Sequence, residues 1–294
     1  MKPAITRPHL RAVARATPVL FLFRLAAGFL VAYPFARILG SFGPSTSADD
    51  DRLLFVSGGE FLLEAARLGA RSIGAALEAA SIAGFGLSIL GLFPLALAIG
   101  SMHEPRASLS ELAGQALQRW PALVLLSGFA LLVQAAVVAG TSALGDLVAD
   151  ALRGSLDERG ADLCVLFIAF AGGSVVLAVG IVHDFGRCAI VRDGSTGYRA
   201  ALSGMRSFAD RPLSAVLGWV GPTAVGAALV AMAAWATSAI DVSQPGAHRI
   251  AAVFAVHQLA ALGLTALRLV WLGTAMGLLG RPPSSACAEL SPPQ

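Results

Sequence analysis

"PALVLLSGFALLVQAAVVAGTSALG", residues 121–145, contains no charged side chain. A helix needs about 20 residues to cross a hydrocarbon core of about 30 Å, and this stretch exceeds that length. A deeply buried helix of a water-soluble protein is also apolar, so the rest of the chain has to decide between the two. Hydrophobic residues make up 56% of it and charged residues 13%, and the mean hydropathy is +0.74. A soluble domain carries about a quarter charged residues. Too few polar side chains are available here to cover a water-facing surface, so the chain uses lipid as part of its solvent.

Five further apolar segments of spanning length lie near 18–40, 75–100, 163–183, 213–239 and 250–280. The sequence therefore predicts an all-α polytopic membrane protein with six transmembrane helices, forming one membrane domain over residues 1–282 with a flexible tail over 283–294. Basic residues precede the first span (Lys2, Arg7, Arg11, Arg15) and follow the fourth (Arg187, Arg192, Arg199, Arg206, Arg211). Acids follow the first span (Asp49, Asp50, Asp51) and the third (Asp146, Asp150, Asp157, Glu158, Asp162). The positive-inside rule then puts both termini in the cytoplasm. Lys2 is the only lysine, and with the heavy alanine and glycine usage this points to a GC-rich bacterial genome and to the bacterial cytoplasmic membrane. A net charge of +3, dispersed along the chain, does not suit nucleic-acid binding. The expected partners are the lipid bilayer and a protein within it.

A basic start, an apolar run and the small residues "TSA" also resemble a cleavable signal, but the run from Pro18 to Gly40 is long for a signal core and contains Arg24 and Arg37. Cys164, Cys188 and Cys287 fall on different sides of the membrane and are expected as free thiols.

Ahead of each odd-numbered span comes a short amphipathic, arginine-bearing stretch that ends in proline: "RAVARATP", "LSELAGQALQRWP" and "YRAALSGMRSFADRP". In the second, Ser110 is a candidate N-cap, and Leu109, Leu112, Ala113, Ala116, Leu117 and Trp120 share a helical face. The pattern reads as three repeated units, each a short interfacial helix followed by a helical hairpin, with Pro18, Pro121 and Pro212 in first turns. The plainer reading is that any basic linker ahead of a span looks like this. A second amphipathic stretch, residues 60–78, aligns Glu60, Glu64, Arg67, Arg71 and Glu78 within roughly a 60° arc. A surface helix over residues 60–72 is expected, bending at Gly69 or Gly74 into the second span. The glycines of "GFGLSILG" are read as sites of close helix contact or of a bend.

Known catalytic spacings are missing: there is no H-E-x-x-H, Cys-x-x-Cys, G-x-S-x-G or phosphate-binding glycine loop. His183, Asp184 and Cys188 are metal-binding residue types, but only Asp184 and Cys188 share a helical face, so neither a metal nor a cofactor is expected. Ionisable residues inside spans are costly and mark either structural pairs or transport paths. Depth counting groups Arg24, Asp184, Arg187 and Arg268 in the inner half of the bundle, and Arg37, Glu78, Gln134 and His257 in the outer half. Glu78 is expected to pair with Arg37 or His257 or to be protonated, and Asp184 to neutralise Arg24 or Arg268.

"HDFGRCAIVRDG" (183–194), "GYRAALSGMRSF" (197–208) and "HQLAALGLTALRLVWLG" (257–273) resemble the bacterial six-span proteins grouped with the membrane domain of glycerophosphodiester phosphodiesterases. The resemblance rests on topology and on the Asp184-x-x-Arg187 span exit. It implies an integral membrane protein and carries over no catalytic residue, because the phosphodiesterase domain has no counterpart in these residues.

Three classes of function remain. The first is a non-catalytic membrane component with an accessory, assembly or membrane-organising role. The second is a small-solute or ion transporter or channel using the outer polar residues. The third is a lipid-active enzyme built on His183, Asp184 and Arg187. The lack of catalytic spacings favours the first, with the transporter as the alternative.

Overall fold

The structure, a computed structural model, describes residues 7–42, 67, 69–152, 158–240 and 247–279. Among these residues there are eight helices and no strand: α1 (Arg7–Phe42), α2 (Ala70–Leu90), α3 (Leu92–His103), α4 (Leu109–Leu152), α5 (Glu158–Asp193), α6 (Gly197–Asp210), α7 (Pro212–Ser238) and α8 (Ala247–Leu278). Six segments are long and apolar enough to cross a membrane: Val13–Ile38, Ala70–His103, Leu109–Leu152, Arg159–Asp193, Pro212–Ser238 and His248–Leu278. The chain is thus an all-α polytopic membrane protein. Its surface agrees with that solvent: Phe167, Phe170 and Trp235 are each more than 70% exposed, which bulk water would penalise and acyl chains do not.

The helices form two compact units, one of residues 103–220 and 271–279 and the other of residues 7–102 and 221–270 among those described. In the first unit α4, α5 and α6 pack on one another. Small residues let them approach: Ala189 and Ala200 are fully buried, and a methyl group placed on Gly204 of α6 would lie 2.5 Å from the Val182 carbonyl oxygen of α5. Only a bare backbone fits there. Arg119 of α4 reaches across to donate to the Val191 carbonyl of α5. α5 stops at Gly194, whose φ of 63° lies in the left-handed region and whose N–H donates to the Ile190 carbonyl at 3.0 Å. This is the usual glycine termination of a helix.

In the second unit α1 packs on α2, and Gly226 of α7 and Gly263 of α8 give close approach to Leu264 and Leu229 respectively. The interruption in the second span falls at Gly91, a turn residue between α2 and α3, the last glycine of "GFGLSILG". Pro94 has no N–H for the Leu90 carbonyl, so the helical ladder loses a bond at that point. Of the two bend sites expected from the sequence, Gly69 is a turn residue preceding α2, whereas Gly74 continues the helix. The surface helix expected over residues 60–72 falls largely outside the described residues.

The short interfacial helix appears as a separate element only in the third case. α6 is strongly amphipathic, ends at Asp210, and is followed by α7 starting at Pro212. The other two stretches run uninterrupted into their spans, with Pro18 inside α1 and Pro121 inside α4. The cause in α4 lies upstream. Ser108 Oγ accepts from the Glu111 N–H at 3.3 Å while a Glu111 carboxylate oxygen accepts from the Ser108 N–H at 2.8 Å. This reciprocal cap starts the helix well before Pro121, so Pro121 falls inside an already nucleated helix, where it removes one ladder bond and crowds the Leu117 carbonyl without ending the element. The N-cap is therefore Ser108, not Ser110.

Two substitutions test these close approaches by detergent melting. Gly204→Val is expected to destabilise by about 1–3 kcal/mol through overpacking against α5, and Gly194→Ala by about 1–2 kcal/mol through left-handed strain. A variant of either kind that melts like the parent would contradict the corresponding contact.

Candidate functional site

The most polar part of the interior lies near the end of α5 in the first unit. The sequence places it there by phase. Ile181, Asp184, Phe185 and Cys188 follow the i, i+3, i+4, i+7 spacing of one helical face, and all four are buried. Asp184 therefore enters the core with its apolar neighbours at 2% exposure. It is the one acidic or basic side chain buried to this degree among the described residues.

Its carboxylate is held from two sides. Trp271 of α8 donates its indole Nε1–H to Oδ2 at 2.7 Å, and the Trp271 ring packs edge-on to Phe185 with centroids 6.0 Å apart. Arg187, one turn along α5, lies 3.5 Å from Oδ1. Arg187 also donates to Ser127 Oγ of α4 at 3.3 Å, and Ser127 Oγ is 3.1 Å from His183 Nε2. A serine hydroxyl that accepts from Arg187 can donate to His183, so donors and acceptors run consistently from Trp271 through Asp184, Arg187 and Ser127 to His183. Beside the network, Cys188 Sγ faces the Leu272 carbonyl at 3.7 Å, and Arg192 donates to the Leu279 carbonyl at 3.3 Å.

A serine beside a histidine is the beginning of a nucleophile and base pair. Here the Ser127 oxygen is also engaged by Arg187, and both Asp184 oxygens are taken by Trp271 and Arg187. Among the described residues no group of three or more His, Cys, Asp or Glu side chains could hold a metal ion.

Of the inner set read from the sequence, Asp184 and Arg187 are joined directly. Arg24 and Arg268 belong to the second unit, where Arg24 donates to Thr265 Oγ1 at 3.2 Å. Of the outer set, Gln134 in the first unit donates weakly to the Val176 carbonyl at 3.4 Å. Arg37 is exposed and donates to Tyr33 Oη at 3.4 Å. Glu78 and His257 are exposed as well, and no hydrogen bond or ion pair joins Glu78, Arg37 and His257 among the described residues. The expected pairing of Glu78 fails for a geometric reason. The buried face of α2 is set by Ala76 and Ala80, and Glu78 lies about 200° around the helix from each. Arg67 and Arg71 are exposed too, so the described part of this charged line is an outward face.

Trp271 and Ser127 were absent from the residues singled out in the sequence. Trp271 could have been found by asking which donor meets a buried carboxylate, since it lies one turn beyond Arg268 on the final span. Ser127 sits within an apolar run and gives no such signal.

Trp271→Phe keeps most of the ring volume and removes the N–H, so a loss of about 1.5–3 kcal/mol is expected for a hydrogen bond to a charged group. Asp184→Asn, which leaves Arg187 facing an uncharged amide, is expected to cost up to about 3–5 kcal/mol. Glu78→Gln is expected to stay within about 0.5 kcal/mol. Melting of the three purified variants in one detergent checks the order, and a Glu78 effect equal to that of Asp184 would reverse the assignment.

No family model matches the chain, and no curated protein or solved structure is significantly similar to it.

Proposed function

We propose that the protein is a non-catalytic component of a bacterial cytoplasmic membrane, acting as an accessory, assembly or membrane-organising protein with both termini on the cytoplasmic side. The observation that carries this reading is the use made of Asp184. The one deeply buried carboxylate among the described residues is committed to Trp271 and Arg187, which suits an element that fixes helix register. The outward faces then become the working surfaces. On α6, Arg206 and Arg199 are exposed beside Tyr198, an arrangement suited to anionic headgroups at the inner leaflet. The transporter reading draws less support, because Glu78 and His257 face outward instead of converging.

Topology and partnership are separately testable. Reporters fused after Ser47 or near Glu158 are expected to be active only outside, and one near Thr196 only inside; the opposite pattern would overturn the orientation. Purification in mild detergent is expected to retain a stoichiometric protein partner. The same protein in sealed liposomes should move no small solute and turn over no lipid, and saturable flux or lipid cleavage that depends on the protein would replace the reading.

A further inference from the structure

A cavity of about 410 Å³ lies between α1 and α8 within the second unit. Its two ends differ chemically. It is open to the surface: at one end stand Arg24 and Thr265, with Gln258 further along the wall, and at the other Phe29 and Phe254, both exposed and with ring centroids 6.1 Å apart. The guanidinium donates to Thr265 Oγ1, a neutral oxygen whose own proton goes to the Ala261 carbonyl at 2.9 Å. Arg24 lies about 16 Å along the helix from Val13, where the first span begins. A guanidinium at that depth is costly without an anion, and a hydroxyl supplies none.

We propose that the cavity binds a long-chain carboxylate, with the carboxylate on Arg24 and the acyl chain lying along Phe29 and Phe254. A planar guanidinium takes a carboxylate through two parallel hydrogen bonds. The cavity falls toward the small end of the range of about 300–1,000 Å³ typical of ligand sites, which fits one acyl chain better than two. The segment of α1 that lines it, from Phe21 to Ala32, covers about 16 Å. The polar end faces the start of α1, so the ligand has the same head-to-tail direction as a lipid of the leaflet on that side.

The full-length protein, purified in a non-ionic detergent, provides the test through equilibrium binding of radiolabelled oleate. Saturable binding of one oleate per chain is expected, displaced by palmitate but not by oleyl alcohol or phosphatidylglycerol. Arg24→Gln is expected to weaken it about tenfold or more. Gly28→Phe supplies a control that leaves the charge in place. Gly28 lines the cavity and has no neighbouring atom within 4 Å of an added Cβ, so the ring can fill the space without a clash at its root. That variant should melt like the parent and lose oleate. Absence of saturable binding, equal affinity for oleyl alcohol, displacement by phosphatidylglycerol alone, or parental affinity in Gly28→Phe would each overturn the proposal.

Discussion

The carboxylate of Asp184 is the constraint from which the order of the first unit follows. A group with 2% exposure in a helix that crosses lipid has no water to satisfy it. The indole N–H of Trp271 and the guanidinium of Arg187 do so instead. Those two partners in turn commit their own neighbours, because Trp271 packs edge-on to Phe185 and Arg187 reaches Ser127, which meets His183. One charge thereby sets the rotation of α5 against α4 and against the last turns of α8. Slipping α5 by one residue would turn Asp184 about 100° away from both donors.

Between lipid-bathed helices the hydrophobic effect supplies little attraction, because a leucine is as well solvated by acyl chains as by another helix. Close backbone contact takes over. The bare Cα of Gly204 against the Val182 carbonyl, and the buried alanines Ala189, Ala200, Ala215 and Ala275, show the residue sizes that such contact requires. Large side chains such as Leu125, Phe129 and Phe170 point outward instead. A protein built this way uses its few polar side chains to select register and its small residues to gain contact area. Arg24, at one end of a mainly apolar pocket, departs from this economy, because among the described residues its guanidinium meets a hydroxyl and not a carboxylate.

The spans were legible in the sequence because the signal is additive over about 20 residues and little affected by tertiary context. Asp184 and Arg187 were legible as a pair because one helical turn separates them. The partner of Asp184 was not, since Trp271 meets it only through the packing of a distant span, and depth counting favours charged partners over an indole. Pro121 misled for a different reason. Proline in a first turn and proline in an established helix look alike in sequence, and the Ser108–Glu111 cap decides between them. Glu78 failed as a buried group because its line of charges was read for what it shared with Glu60 and Arg71. Its phase relative to Ala76 and Ala80, which fixes what it faces, was the deciding quantity.

A double-mutant cycle on Asp184 and Trp271 tests the account most directly. Asp184→Leu, Trp271→Phe and the combined variant would be melted in the same detergent. Asp184→Leu removes the charge and Trp271→Phe removes the donor, so the cycle isolates their bond from the shape of the site. A coupling of about 1 kcal/mol or more is predicted, with the combined variant less destabilised than the sum of the two singles. Additivity within about 0.5 kcal/mol would mean that the two side chains do not depend on each other, and the order of the first unit would need another source.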